Sequence, residues 1–167
     1  MSQFDPLFRW LEALPFAVWL VESPSLWAIP GVLAAHTLGL GLLAGLNCAL
    51  DWRLLGFARG VPPASFTRFL PLMWLGFWLN VITGLLLVLA YPVKALTNPV
   101  FYLKLALIGA ALFVLRATLR RLRRGEEDSR AVKLLAGASL ALWGGAIVAG
   151  RLLAYTCTRL MVDIPCR

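Results

Sequence analysis

The sequence predicts an all-α integral membrane protein, a four-helix bundle with an amphipathic N-terminal helix lying in the membrane interface. Three observations lead there. Of 167 residues, 60% are hydrophobic and only 14% charged, where a soluble domain is nearer half apolar and a quarter charged. The apolar residues fall in four blocks of about 20, the length of a helix that crosses a bilayer. The basic residues gather in two short loops between those blocks.

Residues 4–21, FDPLFRWLEALPFAVWLV, open the chain. Asp5-Pro6 is a good helix start. Phe4, Leu7, Phe8, Leu11 and Leu14 recur at helical spacing, with Asp5, Arg9 and Glu12 on the other side. Pro15 interrupts the pattern before it could cross a bilayer, and Trp10 and Trp19 suit the head-group plane. A short first span is the alternative. No basic segment precedes an apolar one here, so the expectation is that this is not a cleaved signal. The spans follow at about 26–50, 69–91, 99–119 and 132–155, leaving a tail at 156–167, all within one membrane domain over 1–167. Pro62-Pro63, Pro92, Asn98-Pro99 and Gly125 punctuate the connections. Gly41 and Gly45 on span one and Gly144-Gly145 on span four are places where helices could approach closely.

The loops set the orientation. Arg53, Arg59 and Arg68 lie between spans one and two, and Arg116, Arg120, Arg121, Arg123, Arg124, Arg130 and Lys133 lie in the connection of spans three and four or in the turns beside it. Arg9, Lys94, Arg159 and Arg167 lie on the other side, ten basic residues against four. The positive-inside rule then places both basic loops in the cytoplasm and both termini outside, periplasmic in a bacterial inner membrane. The net charge of +8 is thereby explained by topology and anionic head groups, and a nucleic-acid partner is excluded. The expected partners are the bilayer and a homodimer or larger membrane complex.

Cys157 and Cys166 both fall in the outer tail, CTRLMVDIPC. An oxidising compartment permits a disulfide between them, and two free thiols are the alternative. Cys48, near the inner end of span one, reads as a small packing residue.

Polar groups inside a membrane are costly and point to function. Among those in the spans, His36, Asn47, Asn80, Thr83, Lys104 and Arg151 stand out. His36, the only histidine, lies about ten residues into span one, near mid-bilayer at 1.5 Å per residue. It could ligate a haem iron, bond a quinone oxygen or relay a proton, or simply bond a neighbouring helix. Asn80 and Thr83, with Gly76 and Gly84, form a small polar stripe that should face the bundle interior, for an interhelical hydrogen bond or a ligand. Lys104 and Arg151 come about one turn inside the outer boundary, and no span holds an acid to neutralise them. They either snorkel outward or hold an anionic group between helices. Asp51 and Arg53, in DWRLLG, cap the end of span one at the interface. No zinc spacing, phosphate-binding glycine loop or Ser/His/Asp set is present, and no polar stripe suits a water-filled pore. Enzyme activity is left open.

The segments WLVESPSLWAIPGVLAAHTLGLGLLAG, DWRLLG, WLGFWLNVITGLLL and NPVFYLKLALIGAAL resemble an uncharacterised bacterial family of four-helix inner-membrane proteins. More distantly, the histidine of span one, the TG of span two and the KL of span three resemble the copper-resistance D type and the haem-b protoporphyrinogen oxidases. That likeness implies haem b within the bundle, with His36 as a ligand. Relatives often carry a second histidine in the inner half of span three, where this chain reads LFVLRATLRR, so one chain cannot supply two histidines. A five-coordinate haem, two His36 residues across a dimer, Met73 as second ligand, or no haem remain.

Two functions are thus expected. One is a redox or binding protein holding haem b or a quinone near His36 for electron transfer, with Asn80 and Thr83 beside it and Lys104 and Arg151 on the polar end. The other is a non-catalytic membrane anchor or accessory subunit.

Overall fold

A computed structural model describes residues 5–155, 158–159 and 162–163. Four helices in it are long and apolar enough to cross a membrane, Ile29–Leu54, Ser65–Ala90, Pro99–Leu122 and Arg130–Tyr155. The all-α bundle expected of a multi-pass membrane protein is therefore present. The predicted spans hold to within a few residues, and the differences have local causes.

The N-terminal segment is two helices, α1 (Asp5–Glu12) and α2 (Pro15–Glu22). Pro15 has no N–H to offer, and the residue before a proline is forced out of helical geometry. Leu14 is accordingly extended, at φ −61° and ψ 131°. Span one starts at Ile29, three residues later than expected, because Ser23 and Ser25 accept the backbone N–H groups of Ser25 and Trp27 in successive turns. It comprises α3 (Ile29–Leu40), a π-helical turn at Gly41–Gly45, and α4 (Leu46–Leu54). A 3-10 turn at Pro63–Phe69 leads into α5 (Leu70–Ala90), and a short α6 (Pro92–Leu96) follows. Asn98 is buried and caps α7 (Pro99–Leu122), its side-chain oxygen accepting from the N–H of Val100 at 2.9 Å. Then comes α8 (Arg130–Tyr155). In the tail, β1 (Thr158–Arg159) pairs antiparallel with β2 (Val162–Asp163).

The first basic loop is held by its own arginines. Arg53 donates to the carbonyls of Val61 and Arg59, and Arg59 donates to that of Gly56. Gly56 turns at φ +107°, a conformation open to glycine. In the second loop Arg121 pairs with Glu126 at 2.7 Å.

Span one packs on α5, α7 runs along α8, and α4 rests on α8. The closest approach is between backbones, not side chains. A Cβ on Gly39 would stand 2.9 Å from the carbonyl oxygen of Gly76, and one on Gly76 would stand 2.8 Å from that of Gly39. Gly41 and Gly45 meet nothing within 4 Å, so the sequence's glycine pair faces outward and its neighbour Gly39 makes the contact. On α8, Val132, Ala136, Ser139, Trp143, Ala146 and Ala149 form one buried stripe at steps of three and four, the seam of a helical bundle. Two apolar clusters result. One, around Trp143, Leu115 and Leu43, fills the half nearer the basic loops. The other joins Leu20 of α2 and Val32 to Ala90 at the opposite end. Elsewhere the apolar residues point outward. Only 11–28% of each span's most apolar stretch is buried, and Phe113, Leu38 and Leu85 are more than half exposed. That surface is stable against lipid and not against water.

Candidate functional site

His36 is where three spans meet. On α3 it lies one turn before Gly39, so the backbone crossing with α5 brings Asn80, Thr83 and Gly84 against it. The Asn80 amide donates to the His36 carbonyl oxygen at 2.7 Å, and a Cβ on Gly84 would lie 3.4 Å from the ring carbon Cε1. The imidazole thus packs against the backbone of α5 at Gly84, within ordinary contact distance of a Cβ placed there.

The ring's hydrogen bonds determine its tautomer. Thr83 Oγ1 has one hydrogen, and donates it to the Leu79 carbonyl at 2.6 Å. Thr83 can therefore only accept at the 2.9 Å contact with His36 Nδ1, so Nδ1 carries the proton. Nε2 is left with a bare lone pair, and it faces Lys104 Nζ at 3.4 Å. A protonated lysine has donors only, so Lys104 donates and His36 accepts. Lys104 belongs to α7, and its stem crosses to α8, where Cε lies 3.7 Å from the Cβ position of Gly150.

The structure thus brings His36, Asn80, Thr83 and Lys104 together. Arg151 stands apart, exposed on α8 and making no hydrogen bond to any of the four. It comes to the same depth as Lys104, but the residue beside Lys104 is Gly150, and one step along a helix turns a side chain by about 100°. Cys157 and Cys166 lie outside the described residues.

The residues do not fit a haem iron. Thr83 holds the Nδ1 proton, which suits ligation through Nε2, but an ammonium occupies the direction in which iron would bind. Met73 is ten residues from Thr83 along α5, about 15 Å, too far to share an iron with His36. Among the described residues no three His, Cys, Asp or Glu side chains are grouped for a metal. An acceptor with an anionic or carbonyl oxygen fits better. Lys104 has two further hydrogens, and among the described residues no carboxylate pairs with it.

A second polar cluster sits towards the basic-loop end, and sequence reasoning assigned it no chemistry. Asp51 was expected to cap the helix at the interface, yet it is 2% exposed. Asn47 Nδ2 donates to Asp51 Oδ2 at 2.8 Å and to Ser139 Oγ, on α8, at 2.7 Å. Asn47, at 0% exposure, leaves its Oδ1 without a partner, as do Thr118 Oγ1 and Trp143 Nε1. The available signal was the spacing of Asn47 and Asp51, four apart and so on one face of the helix. A small apolar cavity of about 50 Å³ lies nearby among Leu43, Met73, Phe77, Leu112 and Leu115.

Compared with protein-family models, with curated proteins and with solved structures, the chain matches none.

Proposed function

We propose that this is a bacterial inner-membrane protein, with both termini periplasmic, that binds a quinone headgroup at His36 and Lys104 and serves electron transfer within a larger membrane complex. The observation that carries the reading is the Lys104–His36 contact, a cation and an imidazole lone pair facing each other inside an apolar bundle, with no carboxylate among the described residues paired with the lysine. A bound quinone supplies reversible two-electron, two-proton chemistry. This chain's residues supply the rest. Lys104 donates to a quinone carbonyl, a charge-assisted bond that is strong away from water. Thr83 and Asn80 fix the imidazole and its backbone, so that Nε2 can take a proton from, or return one to, an oxygen held by Lys104. Ten basic residues in the two inner loops against four outside support the orientation. An oxidising periplasm would permit a Cys157–Cys166 disulfide.

The test is binding of short-chain ubiquinone and menaquinone analogues to the full chain in nanodiscs, followed by tryptophan quenching. The expected result is saturable binding that Lys104→Met weakens about tenfold or more, the loss of one hydrogen bond to a charged group. Wild-type protein without saturable binding would leave the anchor reading, in which these residues only fasten helices. A Soret band in protein made under haem-replete conditions would favour haem instead.

A further inference from the structure

The Asn47–Asp51–Ser139 cluster has an imbalance of charge. Asp51 is 2% exposed, and among the described residues no lysine or arginine comes within ion-pair distance of it. Asn47 and Ser139 bring dipoles and no charge. Leaving a carboxylate uncompensated in such a place is strongly unfavourable. Its position makes matters worse, since Asp51 lies three residues from the C-terminal end of α4, where the helix dipole is negative and favours a cation. One positive charge is missing.

A second observation concerns the same cluster. Asn47 Oδ1 is buried and unpaired, while both hydrogens of the same amide are used, on Asp51 and on Ser139. In the structure Nδ2 faces Asp51 and Ser139; a half-turn of that amide, which exchanges the two atoms, would present Oδ1 there beside the Asp51 carboxylate and the Ser139 hydroxyl. Three oxygens, one of them charged, would then converge. Oxygen donors of this type take hard cations, not soft ones. A single carboxylate neutralises a single charge, and a divalent ion would leave the bundle with one unit in excess.

We propose that Asn47, Asp51 and Ser139 form a binding site for one monovalent metal cation, Na+ being the probe, reached from the basic-loop end. The site is distinct from the His36 cluster and does not rest on the quinone reading. The ion joins α4 to α8, so binding should tighten the contact through which span one meets the α7–α8 pair.

The experiment uses the full chain in phosphatidylcholine nanodiscs. Equilibrium binding of radioactive Na+ is measured at constant ionic strength, with choline replacing Na+, and the thermal midpoint is followed in parallel. One saturable Na+ per chain is expected, with a midpoint that rises with Na+ and not with choline. Asp51→Asn should weaken binding about a hundredfold or more, as loss of a buried charge partner does. Ser139→Ala should weaken it less, and His36→Phe should leave it intact. Wild-type protein that binds no Na+, or whose midpoint follows pH with no response to Na+, would overturn the proposal; in the second case a proton neutralises Asp51. Equal Na+ binding by wild type and Asp51→Asn would overturn it as well. The wild-type measurement decides by itself if a variant fails to fold.

Discussion

Replacing Gly76 by alanine is the sharpest test of how the bundle is fastened. The added Cβ would stand 2.7 Å from Leu42 Cβ, 2.8 Å from the Gly39 carbonyl oxygen and 2.9 Å from the Leu43 nitrogen. Two of these three are backbone atoms, which cannot rotate aside, so relief requires span one and α5 to part. Ordinary contact begins at 3.4 Å, and the shift needed is about 0.7 Å (3.4 − 2.7). Passed along the helix, that shift would stretch the 2.7 Å bond from Asn80 to the His36 carbonyl to about 3.4 Å, beyond the useful range. Overpacking of this kind costs about 1–3 kcal/mol, and weakening interhelical hydrogen bonds adds about 0.6–1.7 kcal/mol. The expected loss is therefore about 2–5 kcal/mol, read by steric-trap unfolding in bicelles. Gly41→Ala and Gly45→Ala, with open space around them, should stay within about 1 kcal/mol of wild type. If Gly76→Ala is as stable as wild type, or Gly41→Ala is as damaged as Gly76→Ala, the crossing has been misassigned and the outward-facing glycine pair is the true seam.

Thr83→Val removes the acceptor of the Nδ1 proton. Nitrogen-15 NMR of labelled histidine should show a single Nδ1–H tautomer in wild type and a mixture in the variant; a wild-type proton on Nε2 would contradict the hydrogen-bond assignment at Thr83. Lys94→Met removes the bond from Lys94 Nζ to the Ala154 carbonyl, 2.8 Å long, at the last turn of α8. A loss of about 0.5–1.5 kcal/mol should appear as faster hydrogen exchange confined to that turn, and unchanged exchange would mean that the contact is absent in the membrane.

The spans were legible because hydrocarbon thickness imposes a length and composition that few other constraints mimic. The break at Pro15 was legible too, since a missing N–H acts locally. Faces were harder. Gly41 and Gly45 carry the familiar spacing, but only the tertiary crossing decides that Gly39 makes the contact. Lys104 and Arg151 were placed at one depth by counting residues, which says nothing of azimuth. The Asp51 reading failed for a related reason. A carboxylate two residues before an arginine at the end of an apolar run looks like an interfacial cap, and the α8 member of its cluster, Ser139, is 88 positions away (139 − 51). His36, Asn80 and Thr83 could be nominated from composition alone, because polar residues are so few in these spans. That Thr83 would fix the tautomer, and Lys104 face the lone pair, needed the geometry.

The π-helical turn at Gly41–Gly45 has an outcome for anyone comparing or editing this chain. Such a turn holds one residue more than an α-helical one, so it re-phases everything that comes after it. Above it, His36 and Gly39 address α5; below it, Asn47 addresses α8. Deleting a single residue from GLLAG would leave span length, hydropathy and loop charge almost untouched. It would also swing Asp51 by about 100°, off its α8 neighbour and towards the acyl chains. Two sequences that no hydropathy plot could tell apart would then differ in whether a carboxylate is lodged in protein or stranded in oil.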